Sequence, residues 1–198
     1  MTRPTTTPPP TIAGRRAATL ADRITGCEEG RHLEAAIRSH PDRWATVTGV
    51  AVVARLDAAT DTGPLFREAI RLLALSAAVH ELTGDSAPAA VTGSAPVECM
   101  ARAVLAQHTL CRWLTQRLGF TLIEPCSDGT YRPGDYTHRS YLAAGWGEPD
   151  PRYWLDVDET SRRVAMLHQI FASIGIHAGG RRHDLRFNPQ FSAGDVGI

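Results

Sequence analysis

The chain has 198 residues, and its 21 basic residues, all of them Arg, balance 21 Asp and Glu to a formal net charge of zero. This balance excludes a protein held on nucleic acid or acidic lipid by a long-range field of one sign. No apolar run approaches the length of about 18 residues that a membrane span needs, and the N-terminus has no signal peptide. We therefore expect a cytoplasmic protein with no membrane contact. Arg without Lys, and abundant Ala, Gly and Pro, are typical of a GC-rich bacterial or phage genome.

The first third of the chain predicts a tail followed by helices. Residues 1–14 are rich in Thr and Pro, which predicts a flexible tail. Residues 15–39 show helical periodicity with a break near Gly26 or Gly30. Residues 42–59 fit either a strand or a helix, with helix slightly favoured. A clearer helix runs from Leu65 to Leu82, and its nearly all-round apolar middle predicts the most buried helix of the fold.

The stretch from Ser94 to Phe120 predicts one long central helix. Met100, Val104 and Leu114 fall in one apolar arc, and Glu98 falls on the opposite, polar side. The Ser94 hydroxyl is predicted to cap the first turn, and Gly119 to end the last. We expect this helix to pack antiparallel against the helix from Leu65 to Leu82.

The segment after Gly119 predicts a mixture of hairpins, loop and helix. A small hairpin is expected over residues 120–132, then a long aromatic loop with a short helix from Arg139 to Ala144. A final helix begins with Asp156 as its cap and Glu159 completing a capping box. Its apolar stripe consists of Val164, Leu167, Ile170, Phe171 and Ile174. A second hairpin is expected over residues 176–187.

The predicted fold class is mainly α, with four to six helices around the central helix and one or two small hairpins towards the C-terminus. A single domain covers residues 15–198, including a loop-and-hairpin region at about 120–198. The order helix, Gly, strand, turn, strand occurs twice and resembles in outline the recognition helix and wing of winged-helix DNA-binding domains. That resemblance implies phosphate contacts from three arginines of the second hairpin, Arg181, Arg182 and Arg186.

Cysteine and histidine spacing gives little sign of a metal site. Cys27, Cys99, Cys111 and Cys126 form no CxxC pair, so we expect reduced thiols and no cofactor. His108 and Cys111 have the spacing of two zinc ligands on one helix. No spacing in the sequence supplies the remaining ligands.

The aromatic loop and second hairpin are the predicted functional region. Exposed aromatic and Arg side chains dominate interface energetics, so we expect a non-enzymatic binding or assembly protein that contacts a protein partner or a second copy, with nucleic acid as another partner class. The expected contact residues are Tyr136, Arg139, Trp146, Trp154, Arg181, Arg182 and Arg186. The alternative is a small metal-dependent or acid/base enzyme that uses His138, His183 and Asp184.

Overall fold

A computed structural model describes residues 7–40, 54–84, 90–125 and 129–173. Within these residues lie α1 (Pro10–Gly26), α2 (Glu28–Ser39), α3 (Ala58–Thr83), α4 (Ala95–Leu105), α5 (His108–Leu118), α6 (Tyr136–Ala143) and α7 (Val157–Ser173). The mainly helical class is confirmed, although these helices outnumber the four to six predicted. The same ranges contain no β-strand. None of the helices in these ranges has both the length and the hydrophobicity that a membrane span requires.

The first two helices meet at Cys27, where the predicted interruption is confirmed. Cys27 is extended, and its sulfur accepts the Gly30 N–H at 3.4 Å, which caps α2. The first helix begins at Pro10, inside the segment predicted to be a flexible tail. Ala13 and Gly14 of that segment are buried, so their packing holds the start of α1 in place.

Helix α3, predicted to be the most buried helix, buries 16 of its 26 residues, the largest number in any described helix, although α4 buries a larger share, 8 of 11. It begins at Ala58, earlier than the predicted Leu65, because the Asp57 carboxylate accepts the N–H groups of Ala59 at 2.7 Å and Thr60 at 3.2 Å. It ends at Gly84, which adopts the left-handed conformation with φ of 74°. Residues 42–53, which could be helix or strand by sequence, lie outside the described residues.

The single helix predicted over Ser94–Phe120 is wrong, because the chain leaves helical geometry at Gln107, where ψ is 59°. The carbonyl of Val104 accepts the Gln107 N–H at 3.0 Å and the Cys111 thiol at 3.2 Å. These two bonds satisfy a carbonyl that an unbroken helix would have paired along its own axis. Two helices, α4 and α5, therefore replace the predicted one.

The central helix was predicted to pack against α3. Of the two helices that replace it, α4 makes this contact. Met100 and Val104 are buried where α4 packs on α3, whereas α5 packs against α2 and buries Leu114. Helix α1 packs against α3 and α6. Glu98, predicted on the polar face, is also buried, because α4 is enclosed on nearly all sides.

The predicted hairpin over residues 120–132 is absent from its described part, residues 120–125 and 129–132. Tyr131 explains why, since its N–H donates to the Gly93 carbonyl at 3.1 Å and its carbonyl accepts the Val157 N–H at 3.0 Å. Backbone groups that a hairpin would pair internally are used to join two other segments. The hairpin predicted over residues 176–187 lies outside the described residues. The short loop helix is present as α6.

Candidate functional site

Three buried carboxylates, Asp61 and Glu68 on α3 and Glu98 on α4, organise the described part of the predicted functional region. Each accepts hydrogen bonds from residues 129–157, which we call the loop segment; it includes α6. Buried charges are stable only when they are paired and hydrogen-bonded. The loop segment is therefore attached to the helices through polar groups inside the fold.

Glu68 is the centre of an aromatic cluster. Its Oε2 accepts the Tyr141 hydroxyl and the Trp154 indole N–H, both at 2.8 Å, and its Oε1 accepts Arg71 Nη1 at 2.7 Å. The Arg71 guanidinium carbon lies 5.4 Å from the Tyr141 ring centroid and 5.5 Å from that of Trp146, both within cation–π range. Burial, followed by the charge of Glu68, raises the pKa of Tyr141. The tyrosine thus stays protonated and donates to the carboxylate.

Asp61 forms a second buried centre near the start of α3. Its two oxygens accept Arg152 Nε and Nη2, each at 2.7 Å, and Oδ1 also accepts the Tyr153 hydroxyl at 3.0 Å. The Asp57 N–H donates to Oδ2 at 2.6 Å. The hydrogen bond from Arg152 is the main cause that lowers the pKa of Asp61. Burial, followed by the hydrogen bond to Asp61, raises the pKa of Tyr153 to about 12.

Glu98 connects the residues that precede α4 to the start of the loop segment. Its Oε1 accepts the Gly93 N–H at 3.0 Å and its Oε2 accepts the Gly129 N–H at 2.9 Å. Ser94, predicted to cap α4 with its hydroxyl, instead donates that hydroxyl to the Tyr153 carbonyl at 2.6 Å. The side chain at the helix N-terminus therefore holds the loop segment, and the cap prediction is wrong.

Of the three aromatic residues predicted to form a partly exposed binding surface, Trp154 is used to attach the loop segment to α3. Trp154 is 4% exposed, so its predicted exposure is wrong; its indole needed a buried acceptor, which Glu68 provides. Tyr136 and Trp146 are half-buried against the core, and Arg139 is exposed. Arg181, Arg182 and Arg186 lie outside the described residues.

His138 has hydrogen-bond contacts at both ring nitrogens. Its Nδ1 accepts the Gly134 N–H at 2.8 Å, which places the neutral ring's proton on Nε2, 3.1 Å from Glu148 Oε2. The Asp135 carboxylate accepts the His138 N–H at 2.8 Å and so caps α6. The histidine is thus oriented by its turn and paired with a carboxylate. The other two candidate catalytic residues, His183 and Asp184, lie outside the described residues, so their convergence stays a prediction.

Within the described ranges, no further potential ligands join the weak metal candidates His108 and Cys111. Across the described ranges, no three His, Cys, Asp or Glu side chains are placed to hold a metal ion. His108 is exposed, and burial raises the pKa of the Cys111 thiol to about 11. Cys27, Cys99 and Cys111 form no disulfide, and Cys126 lies outside the described residues.

The two most exposed large apolar side chains of the described residues lie on α5 and α7. Trp113 on α5 is 52% exposed and Met166 on α7 is 51% exposed. None of the described side chains of α7 is buried, and α7 makes no extensive interface with another described helix. The apolar stripe in the sequence correctly predicted the helix α7. Two residues of that stripe, Val164 and Leu167, are nevertheless only half-buried. The side chains of Ile170 and Phe171, and all of Ile174, lie outside the described part.

Sequence reasoning missed the three carboxylates because their partners are far away in the chain. The Asp61–Tyr153 bond, for example, spans 92 residues. One local signal existed, namely Glu68, which is the one carboxylate between Leu65 and Val79 in the apolar middle of α3. Comparison of the chain with protein-family models, with curated proteins and with solved structures finds no match.

Proposed function

We propose that the chain is a non-enzymatic binding or assembly protein, and that α7 is its contact helix in the described region. The observation that carries the proposal is the exposure of α7. It has 17 residues, an apolar stripe that includes Val164 and Leu167, and no buried described side chain. Isolated helices of about this length are marginally stable in water, and most gain stability by packing an apolar face. A partner surface would supply that packing.

The loop segment supports α7 at its N-terminal end. The Val157 N–H donates to the Tyr131 carbonyl at 3.0 Å, and Arg132 forms two hydrogen bonds with Asp158, at 2.7 and 3.0 Å. Asp156 caps the helix by accepting the Asp158 N–H at 2.6 Å. A helix attached to a rigid base loses less conformational entropy on binding than a free one. This base favours recognition by α7 as a preformed helix.

The proposed partner is a protein with an apolar groove. An amphipathic helix binds such a groove through side chains spaced three or four residues apart, and Val164 and Leu167 are three apart. Tyr136, Arg139 and Trp146, together with Arg181, Arg182 and Arg186, are proposed as further contact residues. Nucleic acid is the less supported partner class, because the net charge is zero.

The test compares Leu167→Glu with Gln169→Glu, a matched change at an exposed position of α7. Tagged full-length chains are recovered from the source cells, and the proteins that accompany them are quantified. We expect Leu167→Glu to lose a specific companion that the wild type and Gln169→Glu retain. Light scattering at about 1 and 100 μM protein identifies a second copy as the partner instead. Equal recovery with both variants and a monomeric wild type would contradict the proposal.

The acid/base enzyme is the second candidate, and the contact between His138 and Glu148 favours it. A histidine oriented by a backbone N–H and facing a carboxylate can hold a proton at Nε2. Its test is His138→Ala and His183→Ala against a panel of hydrolase substrates. Turnover by the wild type that both variants lose would replace the binding proposal.

A further inference from the structure

Helix α5 has one solvent-facing side that packing does not explain. Leu114 is its one buried residue, whereas Thr109, Arg112, Trp113 and Gln116 are all exposed. These four positions are spaced by three and four residues, so they form one continuous stripe, which we call the α5 face. Trp113 is at its centre and is 52% exposed. An open tryptophan offers a large apolar surface with a polar N–H, and Trp is enriched among the residues that dominate interface energetics.

The charge of α5 is of one sign. The helix contains Arg112 and Arg117 and no acidic residue. By helical position these two arginines flank Trp113 on opposite sides. Arg117 Nε lies 3.4 Å from Glu29 Oε2, while Arg112 has no hydrogen-bond or ion-pair partner within the described ranges. The α5 face therefore combines an open aromatic ring with an uncompensated guanidinium.

We propose that the α5 face binds an acidic segment of a partner protein. An apolar side chain of that segment packs on Trp113, and a carboxylate beside it pairs with Arg112. Trp and Arg are the residue types that most often dominate interface energetics. The guanidinium fork matches a carboxylate through two parallel hydrogen bonds.

Two other occupants fit less well. Nucleic acid is held mainly by neutralised phosphates, commonly about 6–10 of them in a specific complex, and α5 supplies only two arginines. A second copy of the chain could offer the acidic first turn of α7. However, Asp158 is already paired with Arg132, and Glu159 is paired with Arg162 and Arg163. An external segment with free carboxylates fits the α5 face best.

A random dodecapeptide library displayed on phage provides the probe. Selection on the immobilised full-length chain should enrich peptides that carry Asp or Glu next to an aromatic or aliphatic residue. Binding of an enriched peptide, synthesised with a fluorescent label, is then measured by anisotropy. We expect Arg112→Glu and Trp113→Ala each to weaken binding by about tenfold or more. Arg67→Glu, at an exposed position of α3, is the matched charge reversal and should leave binding unchanged.

Several outcomes would overturn the proposal. They are enriched peptides without an acidic excess, equal binding to the Arg112→Glu and wild-type chains, and displacement of the peptide by a single-stranded oligonucleotide. Self-association that Arg112→Glu abolishes would assign the α5 face to a second copy and also overturn it. Arg112→Ala, with the unfolding midpoint measured for each variant, separates loss of binding from loss of folding. Leu167→Glu should leave peptide binding unchanged, because Leu167 lies on α7 and the α5 face lies on another helix.

Discussion

The loop segment and α7 follow one another in the chain, yet they are held in opposite ways. The loop segment has the composition of a surface loop, rich in Gly, Pro and charged residues, and it is anchored by hydrogen bonds to Asp61, Glu68 and Glu98. Helix α7 has an apolar stripe of the kind that usually packs into a core, and its described side chains are not buried. Buried carboxylates, and the buried aromatic side chains that bond to them, therefore fix one region, while the apolar stripe of the other is left open. In this protein, hydrophobic patterning alone would misplace both.

The largest loss of unfolding free energy is expected from Glu68→Ala, which removes one of the carboxylates that attach the loop segment. The substitution leaves Tyr141, Trp154 and Arg71 without their shared acceptor, and breaking a buried charged cluster costs about 3–5 kcal/mol of unfolding free energy. Urea unfolding followed by tryptophan fluorescence measures it. Glu34→Ala, which breaks the exposed pair with Arg38, should cost less than about 1 kcal/mol. Similar values for the two variants would mean that the buried cluster is not what attaches the loop segment.

Asp61 should make the attachment sensitive to acid. The pKa of Asp61 is lowered in the folded state, chiefly by the hydrogen bond from Arg152. The ionised Asp61 therefore stabilises the fold, and its contribution to the free energy of unfolding is complete above the unfolded pKa of about 3.9. That contribution is lost as the pH falls through the lower, folded value. Asp61→Asn should cost about 1.5–3 kcal/mol at pH 7, and the deficit should shrink towards pH 3. The check is a series of urea titrations between pH 7 and 3, with exposed Asp22→Asn as the control. A deficit that does not change with pH would contradict this.

The side of the loop segment that faces α1 can be probed at a glycine. A Cβ on Gly14 would lie 2.3 Å from the Ser140 carbonyl oxygen of α6, so Gly14→Ala should push α1 and α6 apart and cost about 1–3 kcal/mol. Gly26→Ala, in the same helix with nothing within 4 Å of the added carbon, should be neutral or stabilising by up to about 1 kcal/mol. The melting temperatures of the two variants, measured by thermal unfolding under the same conditions, give the comparison. Equal melting temperatures would mean that α1 and α6 do not approach so closely.

The smallest effect is expected in α7. Leu167→Ala should change the unfolding free energy of the isolated chain by less than about 0.5 kcal/mol, since a half-exposed side chain loses little by truncation. Leu114→Ala, at a buried position of α5, should cost about 2–5 kcal/mol. Urea unfolding of both variants gives the comparison. A large loss for Leu167→Ala would show that α7 is already covered in the isolated chain.

The sequence predicted the helices whose signals are local. The break at Cys27, the end of α3 at Gly84, the short loop helix and the Asp156 cap all follow from neighbouring residues. The break at Gln107 escaped prediction because the apolar arc is in phase on both sides of it: Val104 and Cys111 share one face whether or not the helix continues. The burial of Trp154 depends on an acceptor that lies 86 residues away. No periodicity encodes such a partner.

The attachment of the loop segment also bears on the order of folding. Its bonds to α3 join residues 73 to 92 positions apart, whereas the N-cap of α3 at Asp57 uses groups two and three residues away. Closing such long loops costs chain entropy before any contact forms, so these contacts are expected after the rate-limiting step. Substitutions at Asp61 and Glu68 should then accelerate unfolding and leave the refolding rate nearly unchanged. The half-life of the native chain would therefore be set by the detachment of a segment that takes little part in its folding nucleus.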